Sequence, residues 1–195
     1  MRKALFLLLD EFADWEGSYL ASTLNQSETW SVKTISDRQK VVSLGGFSVL
    51  LDYVIGSEAK DYDLLVMIGG NSWDNSSGEL LKFVEEAFNK DIVIAAICGA
   101  VDYLAKNGFL NDYKHTGNSV DLWKDYEFYT SADNYIEKQA VKDRQLVTAN
   151  GTAPLEFTEL VLDLIAFDTP ENIEKTMFMN RYGFYNYCEK YGNPF

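Results

Sequence analysis

Apolar and polar positions along this chain fall into short, well-separated blocks. Residues 3–9 form an apolar run of strand length that stops at Asp10 and Glu11, and a helix-like stretch follows over residues 15–26. Residues 30–36 alternate between apolar and polar side chains, the period of a second strand. Residues 41–50 read as a hairpin, with Gly45-Gly46 supplying the positive φ angles of a two-residue turn. Residues 63–68 are another buried strand, ending at Gly69-Gly70, and residues 79–89 place Leu80, Phe83, Val84 and Ala87 on one helical face. An apolar strand over 91–97 runs directly into Cys98-Gly99-Ala100, and residues 101–106 are helical with Gly108 as the stop. Residues 135–141 and 145–149 are strand-like. After Asn150-Gly151, residues 154–167 form an amphipathic helix with Pro154 in its first turn.

Apolar strands alternating with helices predict a parallel sheet covered on both faces. The expected architecture is a flavodoxin-like α/β three-layer sandwich with a mostly parallel sheet, a β-hairpin insertion and an extra C-terminal helical segment. Right-handed crossovers bring the carboxyl ends of the strands to one edge, where ligand sites of open α/β sheets collect. Residues 10–16, Gly69-Gly70 and Cys98-Gly99 all follow strand ends, so they should converge there. The expected organisation is a domain over 1–168 and an aromatic-rich helical extension of the same unit over 169–195. In that extension Phe178, Tyr182 and Tyr185 have the spacing of one helix face. The aromatic face either packs on the domain or meets a partner, and we expect a homodimer.

Composition narrows the function classes. With 195 residues, 47% hydrophobic, and only 3 prolines, the chain suits a compact core. Its formal charge of -13, from 30 acidic and 17 basic residues, repels phosphate backbones and anionic lipid. Nucleic acid and membrane surfaces are therefore not expected partners. The apolar start is too short for a secretory signal and no apolar stretch approaches the roughly 18 residues of a membrane span, so a cytoplasmic protein is expected. Two cysteines, Cys98 and Cys188, do not make a disulfide framework. A single histidine, His115, leaves no paired-His or CxxC metal site, and neither metal nor cofactor is expected.

The candidate chemistry centres on Cys98. Small residues on either side, Ala96 and Ala100, permit a sharp strand-to-helix turn with the sulfur at a helix N-terminus, where partial positive charge favours thiolate. A buried core cysteine is the competing reading. Glu16 is either a partner of that sulfur or a first-turn acid complementing its helix dipole. Trp15 and Trp73 either wall a pocket or simply pack.

Five motifs occur in order: Asp10-Glu11-Phe12-Ala13-Asp14-Trp15-Glu16-Gly17, Ile68-Gly69-Gly70-Asn71, Ala95-Ala96-Ile97-Cys98-Gly99-Ala100, His115-Thr116-Gly117-Asn118 and Val147-Thr148-Ala149-Asn150-Gly151. In order and spacing the chain resembles the ThiJ/PfpI (DJ-one/PfpI) family of the class I glutamine amidotransferase-like superfamily, over roughly residues 3–167. The resemblance implies a nucleophile elbow at Cys98, Glu16 facing its sulfur as a protonated carboxyl, and Gly70 and Gly99 as backbone N–H donors. It also carries two departures. The family's usual histidine position falls on Asn118, which can orient a partner but cannot act as a base, while His115 either turns toward the site or caps a loop. The histidine that catalytic relatives carry immediately after the cysteine is replaced by Gly99. No histidine follows His115, which argues against true amidotransferase chemistry.

The function expected from these residues is a cysteine-dependent hydrolase or lyase acting on a small electrophilic, carbonyl-like substrate. The alternative is a stress-responsive protein in which Cys98 oxidises reversibly and no substrate is turned over. A cysteine peptidase fits less well because Gly99 replaces the histidine that follows the cysteine in such relatives, and a nucleotide- or flavin-binding module because no GxGxxG fingerprint is present.

Overall fold

The computed structural model describes residues 1–57, 61–75, 77–90 and 92–195. Among the described residues, seven strands form one sheet: β1 (Arg2–Leu7), β2 (Trp30–Ser36), β5 (Tyr53–Val54), β6 (Leu64–Met67), β7 (Val93–Ile97), β8 (Ala140–Asp143) and β9 (Leu146–Ala149). Their order is β5-β2-β1-β6-β7-β9-β8, parallel except for β8, which pairs antiparallel with β9. A separate two-stranded ribbon is made by β3 (Lys40–Val42) and β4 (Ser48–Leu50). The helices are α1 (Asp14–Asn25), α2 (Gly78–Asn89), α3 (Gly99–Lys106), α4 (Pro154–Leu164), α5 (Pro170–Tyr182) and α6 (Phe184–Tyr191). This is the flavodoxin-like α/β sandwich. No helix among the described residues is long and apolar enough to cross a membrane.

The period of the strands divides the core in two. Ala4, Phe6, Leu64, Val66, Ala95 and Ile97 point to the layer of α1, α4 and α5; Leu5, Leu7, Leu65, Met67, Ile94 and Ala96 point to the layer of α2 and α3. Both faces are covered, which is why these strands read as continuous apolar runs rather than alternating ones. The α2 helix starts at Ser77, whose hydroxyl accepts from Leu80 N–H (3.2 Å), and buries the predicted Leu80, Phe83, Val84 and Ala87. Strand order reverses at β1, which pairs with β2 on one side and β6 on the other. That reversal opens a crevice at the carboxyl ends.

Three local expectations change. Val42 pairs with Ser48, so the hairpin turn is the loop of residues 43–47 rather than a two-residue Gly-Gly turn. The loop is clamped to the start of α1: Leu44 N–H donates to Phe12 O (2.9 Å) and Gly45 N–H to Asp14 Oδ2 (2.7 Å), and of the two glycines only Gly46 has positive φ (84°). The strand expected over 135–141 is confined to its last residues. Tyr135 instead packs edge-to-face against Trp123 and His115, and Lys138 N–H turns back to Ile136 O. The tail is two helices, because Gly183 takes φ 87° between them, so Tyr185 leaves the face shared by Phe178 and Tyr182. Asp91, placed at the start of a strand by the sequence, lies outside the described residues.

Candidate functional site

Cys98 is the residue between β7 and α3, and its backbone sits at φ 58°, ψ −129°. An L-residue held there costs on the order of 1–3 kcal/mol, so the surroundings must impose it. They do so at both ends: Cys98 N–H donates to Ala149 O (2.9 Å), and Cys98 O accepts Val101 N–H (2.9 Å) inside the first turn of α3. The result is the tight turn expected from Ala96 and Ala100, both fully buried. Cys98 and Cys188 are both free thiols.

Glu16 approaches from the first turn of α1 and is wholly buried. Its Oε2 accepts Gly69 N–H (2.8 Å), its buried Oε1 has no hydrogen-bond partner among the described residues, and the carboxyl interacts with the Cys98 thiol beside it. Burial pushes the Glu16 carboxyl up to about 7, opposed by the Cys98 and Gly69 contacts. Burial, and then the Glu16 charge, push the Cys98 thiol up to about 11, while Asn118 and the Gly99 N–H pull it down. The helix terminus by itself predicts a depressed thiol; desolvation and the facing carboxylate reverse that expectation. Above about pH 7 the pair therefore holds a single proton between carboxylate and sulfur, and it loses this one only near 11.

Asn118 reaches the sulfur and His115 does not. Asn118 Nδ2 donates to Cys98 Sγ (3.4 Å), while its Oδ1 accepts Gly151 N–H (3.0 Å). A backbone donor can be met only by the amide oxygen, which fixes the nitrogen on the sulfur side. His115 is fully buried, with Nδ1 2.7 Å from Tyr113 O and Nε2 2.8 Å from Tyr129 OH, and it packs at tilted and edge-to-face angles among Trp123, Tyr129 and Tyr135. Burial holds its pKa below the usual histidine range.

Gly70 and Gly99 lie together on the wall of a cavity of about 250 Å³ that also touches Trp73 and Asp102. Gly99 N–H points to Cys98. Trp73 is buried and donates through Nε1 to Ile68 O (2.9 Å), whereas Trp15 is half-exposed and donates to Gly151 O (3.2 Å). A larger groove of about 560 Å³ is lined by Asn118, Ser119, Lys138 and Asn150.

The sequence singled out neither Gly69 nor Gly151 nor Asp102 as site residues. A Cβ on Gly69 would stand 2.6 Å from Cys98 Cβ, and one on Gly151 would stand 2.8 Å from Cys98 Sγ. Both positions demand glycine because three chain segments close on one sulfur. Their presence in the Ile68–Asn71 and Val147–Gly151 motifs was the available signal. Asp102 carried none beyond its place one helical turn after Cys98.

The sequence pattern of the DJ-1/PfpI family matches residues 2–164. The chain is 65% identical, over 100% of its length and 99% of the relative, to the "Uncharacterized protease YdeA" of Bacillus subtilis (strain 168). It is 33% identical to the "Uncharacterized protease YoaZ" of the same organism, covering 92% of this chain and 91% of that one. Among solved structures, a thiJ/pfpI family protein from Bacillus anthracis superposes with TM-score 0.90 at 29% identity, covering 97% and 94% of the two chains.

Proposed function

The chain belongs to the DJ-1/PfpI family, and from that premise we propose that it is a cysteine-dependent enzyme acting on small electrophilic carbonyl compounds. One observation carries the reading. Glu16 is buried, anchored by Gly69 N–H and set beside Cys98, with a carboxyl held near 7. A carboxyl poised there serves as base and acid at neutral pH.

In the first step the Cys98 sulfur forms a bond to the carbonyl carbon while Glu16 carboxylate takes the thiol proton. The carbonyl π electrons move to oxygen, and the Glu16 proton then passes to that oxygen, giving a hemithioacetal and restoring the carboxylate. Gly70 and Gly99 N–H groups on the cavity wall support the oxygen as it gains charge. From an acyl compound the same adduct collapses to a thioester, the proton leaving with the departing group, and water completes hydrolysis.

Two relatives carry the word protease in their names. Cleaving a peptide requires protonating an amine leaving group, and the chain's single histidine is committed to Tyr113 and Tyr129. Glu16 would have to supply that proton too, so small activated carbonyls are the reading we adopt. The test is turnover of a panel of small aldehydes and activated esters by wild type and Cys98→Ser. Loss in the variant is expected; retained turnover would end the reading.

A second reading is supported by the same donors. Glu16, Asn118 and Gly99 N–H surround Sγ, an arrangement suited to holding oxygen atoms on an oxidised sulfur. Peroxide would oxidise the thiolate to sulfenate and leave as water or hydroxide. Intact mass after peroxide titration tests it, and oxidation of Cys188 with Cys98 untouched counts against it.

A further inference from the structure

We propose that Trp15 is a positioning residue of the Cys98 site: its indole N–H holds Gly151, and Gly151 holds the Asn118 carboxamide with its nitrogen on the sulfur. The inference rests on the reading of Cys98 as the reactive group. Three hydrogen bonds in series carry it. Trp15 Nε1–H donates to Gly151 O (3.2 Å), Gly151 N–H donates to Asn118 Oδ1 (3.0 Å), and Asn118 Nδ2 donates to Cys98 Sγ (3.4 Å). A carboxamide has one oxygen and one nitrogen, so fixing the oxygen on a backbone N–H fixes where the nitrogen points.

Gly151 is the junction of the site. A Cβ built there would stand 2.8 Å from Cys98 Sγ and 3.2 Å from Glu16 Oε1, so its backbone lies against both members of the pair. The residues around it are tied by Asn150, whose Nδ2 donates to Gln139 Oε1 (2.6 Å) and whose Oδ1 accepts Thr152 N–H (3.0 Å). Those bonds hold its neighbours, whereas the N–H and C=O of Gly151 itself are met by Asn118 and Trp15. Glycine has the freest backbone of any residue, so restraint here has to come from partners.

The first turn of α1 explains how one segment does two jobs. Consecutive helical residues point roughly 100° apart, which sends Glu16 inward, wholly buried, and leaves Trp15 50% exposed. An indole this exposed can give its N–H to water; it gives it instead to a carbonyl 136 residues along the chain. The turn thus supplies both the acid that lies against Gly151 and the donor that holds it. Among the described residues the titratable group facing the sulfur is Glu16, while Asn118 and the Gly99 N–H contribute neutral donors.

Positioning and simple coverage make opposite predictions. If Trp15 only kept the loop down on the sulfur, releasing it would speed attack on Cys98. If it orients Asn118, releasing it takes a donor from the thiolate and slows attack. The experiment is the rate of iodoacetamide alkylation of Cys98 against pH, in a Cys188→Ser background. Trp15→Phe keeps an aromatic ring at a half-exposed position and removes only the N–H. It is expected to slow alkylation at pH 8 about fivefold and to move the midpoint of the profile up by about 0.7 pH unit, the scale of one net hydrogen bond. By NMR, the Gly151 N–H should exchange with deuterium about fivefold faster in the variant. Asn118→Ala should slow alkylation at least as much, and the double variant should be no slower than Asn118→Ala alone. An effect passed through the neighbouring Glu16 would add instead.

Faster or unchanged alkylation in Trp15→Phe, an unmoved Gly151 exchange rate, or additive effects in the double variant would overturn the role of Trp15. Wild-type protein whose Cys98 resists alkylation overturns the reactive-cysteine reading and this role with it; wild type that reacts while Trp15→Phe is unchanged overturns only the role of Trp15.

Discussion

Replacing Glu16 by glutamine should remove a pH dependence of stability that originates in one buried carboxyl. Glu16 is raised from its ordinary 4.5 to about 7 by burial. At about 1.4 kcal/mol per tenfold change in proton affinity, that displacement corresponds to about 3 kcal/mol. The folded state holds the proton more tightly than the unfolded chain. The contribution is therefore fully present below 4.5 and is lost as pH rises through about 7. His115, held low by burial, acts in the opposite direction, and Asp102, held high, acts in the same one. Subtracting the curve of Glu16→Gln from that of wild type isolates Glu16. Glutamine keeps the shape, its oxygen accepts Gly69 N–H and its amide faces the sulfur. Urea unfolding between pH 4.5 and 8 is the assay; Cys98, held near 11, stays protonated in the folded state below that limit whenever Glu16 is ionised. Relative to the variant, wild type should lose about 3 kcal/mol across the window, a shift of ~1–2 M in the urea midpoint. A flat difference curve would show that the carboxylate ionises in the folded protein without a desolvation penalty.

Three further outcomes follow from the packing. Gly151→Ala should abolish Cys98 alkylation and cost about 1–3 kcal/mol in urea unfolding, since the new Cβ would stand 2.8 Å from Sγ; unimpaired alkylation would show that the loop yields. His115→Phe should lose about 1–3 kcal/mol of stability, because it removes the two buried ring-nitrogen hydrogen bonds to Tyr113 O and Tyr129 OH, while alkylation slows far less than in Asn118→Ala. A loss of reactivity equal to that of Asn118→Ala would place the histidine in the chemistry. Met177→Ala, at a 1% exposed position of α5 within the core, should cost about 2–5 kcal/mol by thermal or urea unfolding. A negligible change would mean that the tail does not contribute to the fold.

The middle of the sheet was legible because β1, β6 and β7 are covered on both faces and read as apolar blocks, while β2, which alternates, was read to its end residues. What failed was local geometry decided by distant partners. Gly45-Gly46 reads as a tight turn, yet contacts from Phe12 and Asp14 set the loop. Residues 135–139 alternate as a strand does, but the aromatic block around Trp123 draws Tyr135 out of it. The helical spacing of Phe178, Tyr182 and Tyr185 ignores Gly183, whose positive φ ends α5. At the site, Cys98, Glu16 and Asn118 were visible as motif residues. Gly151 was hidden because its closeness to sulfur exists only once β7 and β9 lie side by side.

The positive φ of Cys98 has a consequence for how stability and reactivity divide at this position. In ordinary backbone, alanine outranks glycine by roughly 0.5–1 kcal/mol because glycine is freer when unfolded. At φ 58°, ψ −129° the order inverts: alanine inherits the strain of the cysteine and glycine relaxes it. Cys98→Gly should therefore melt above Cys98→Ala. The thiol occupies the one place at this strand end where the chain would fold more comfortably with no side chain at all.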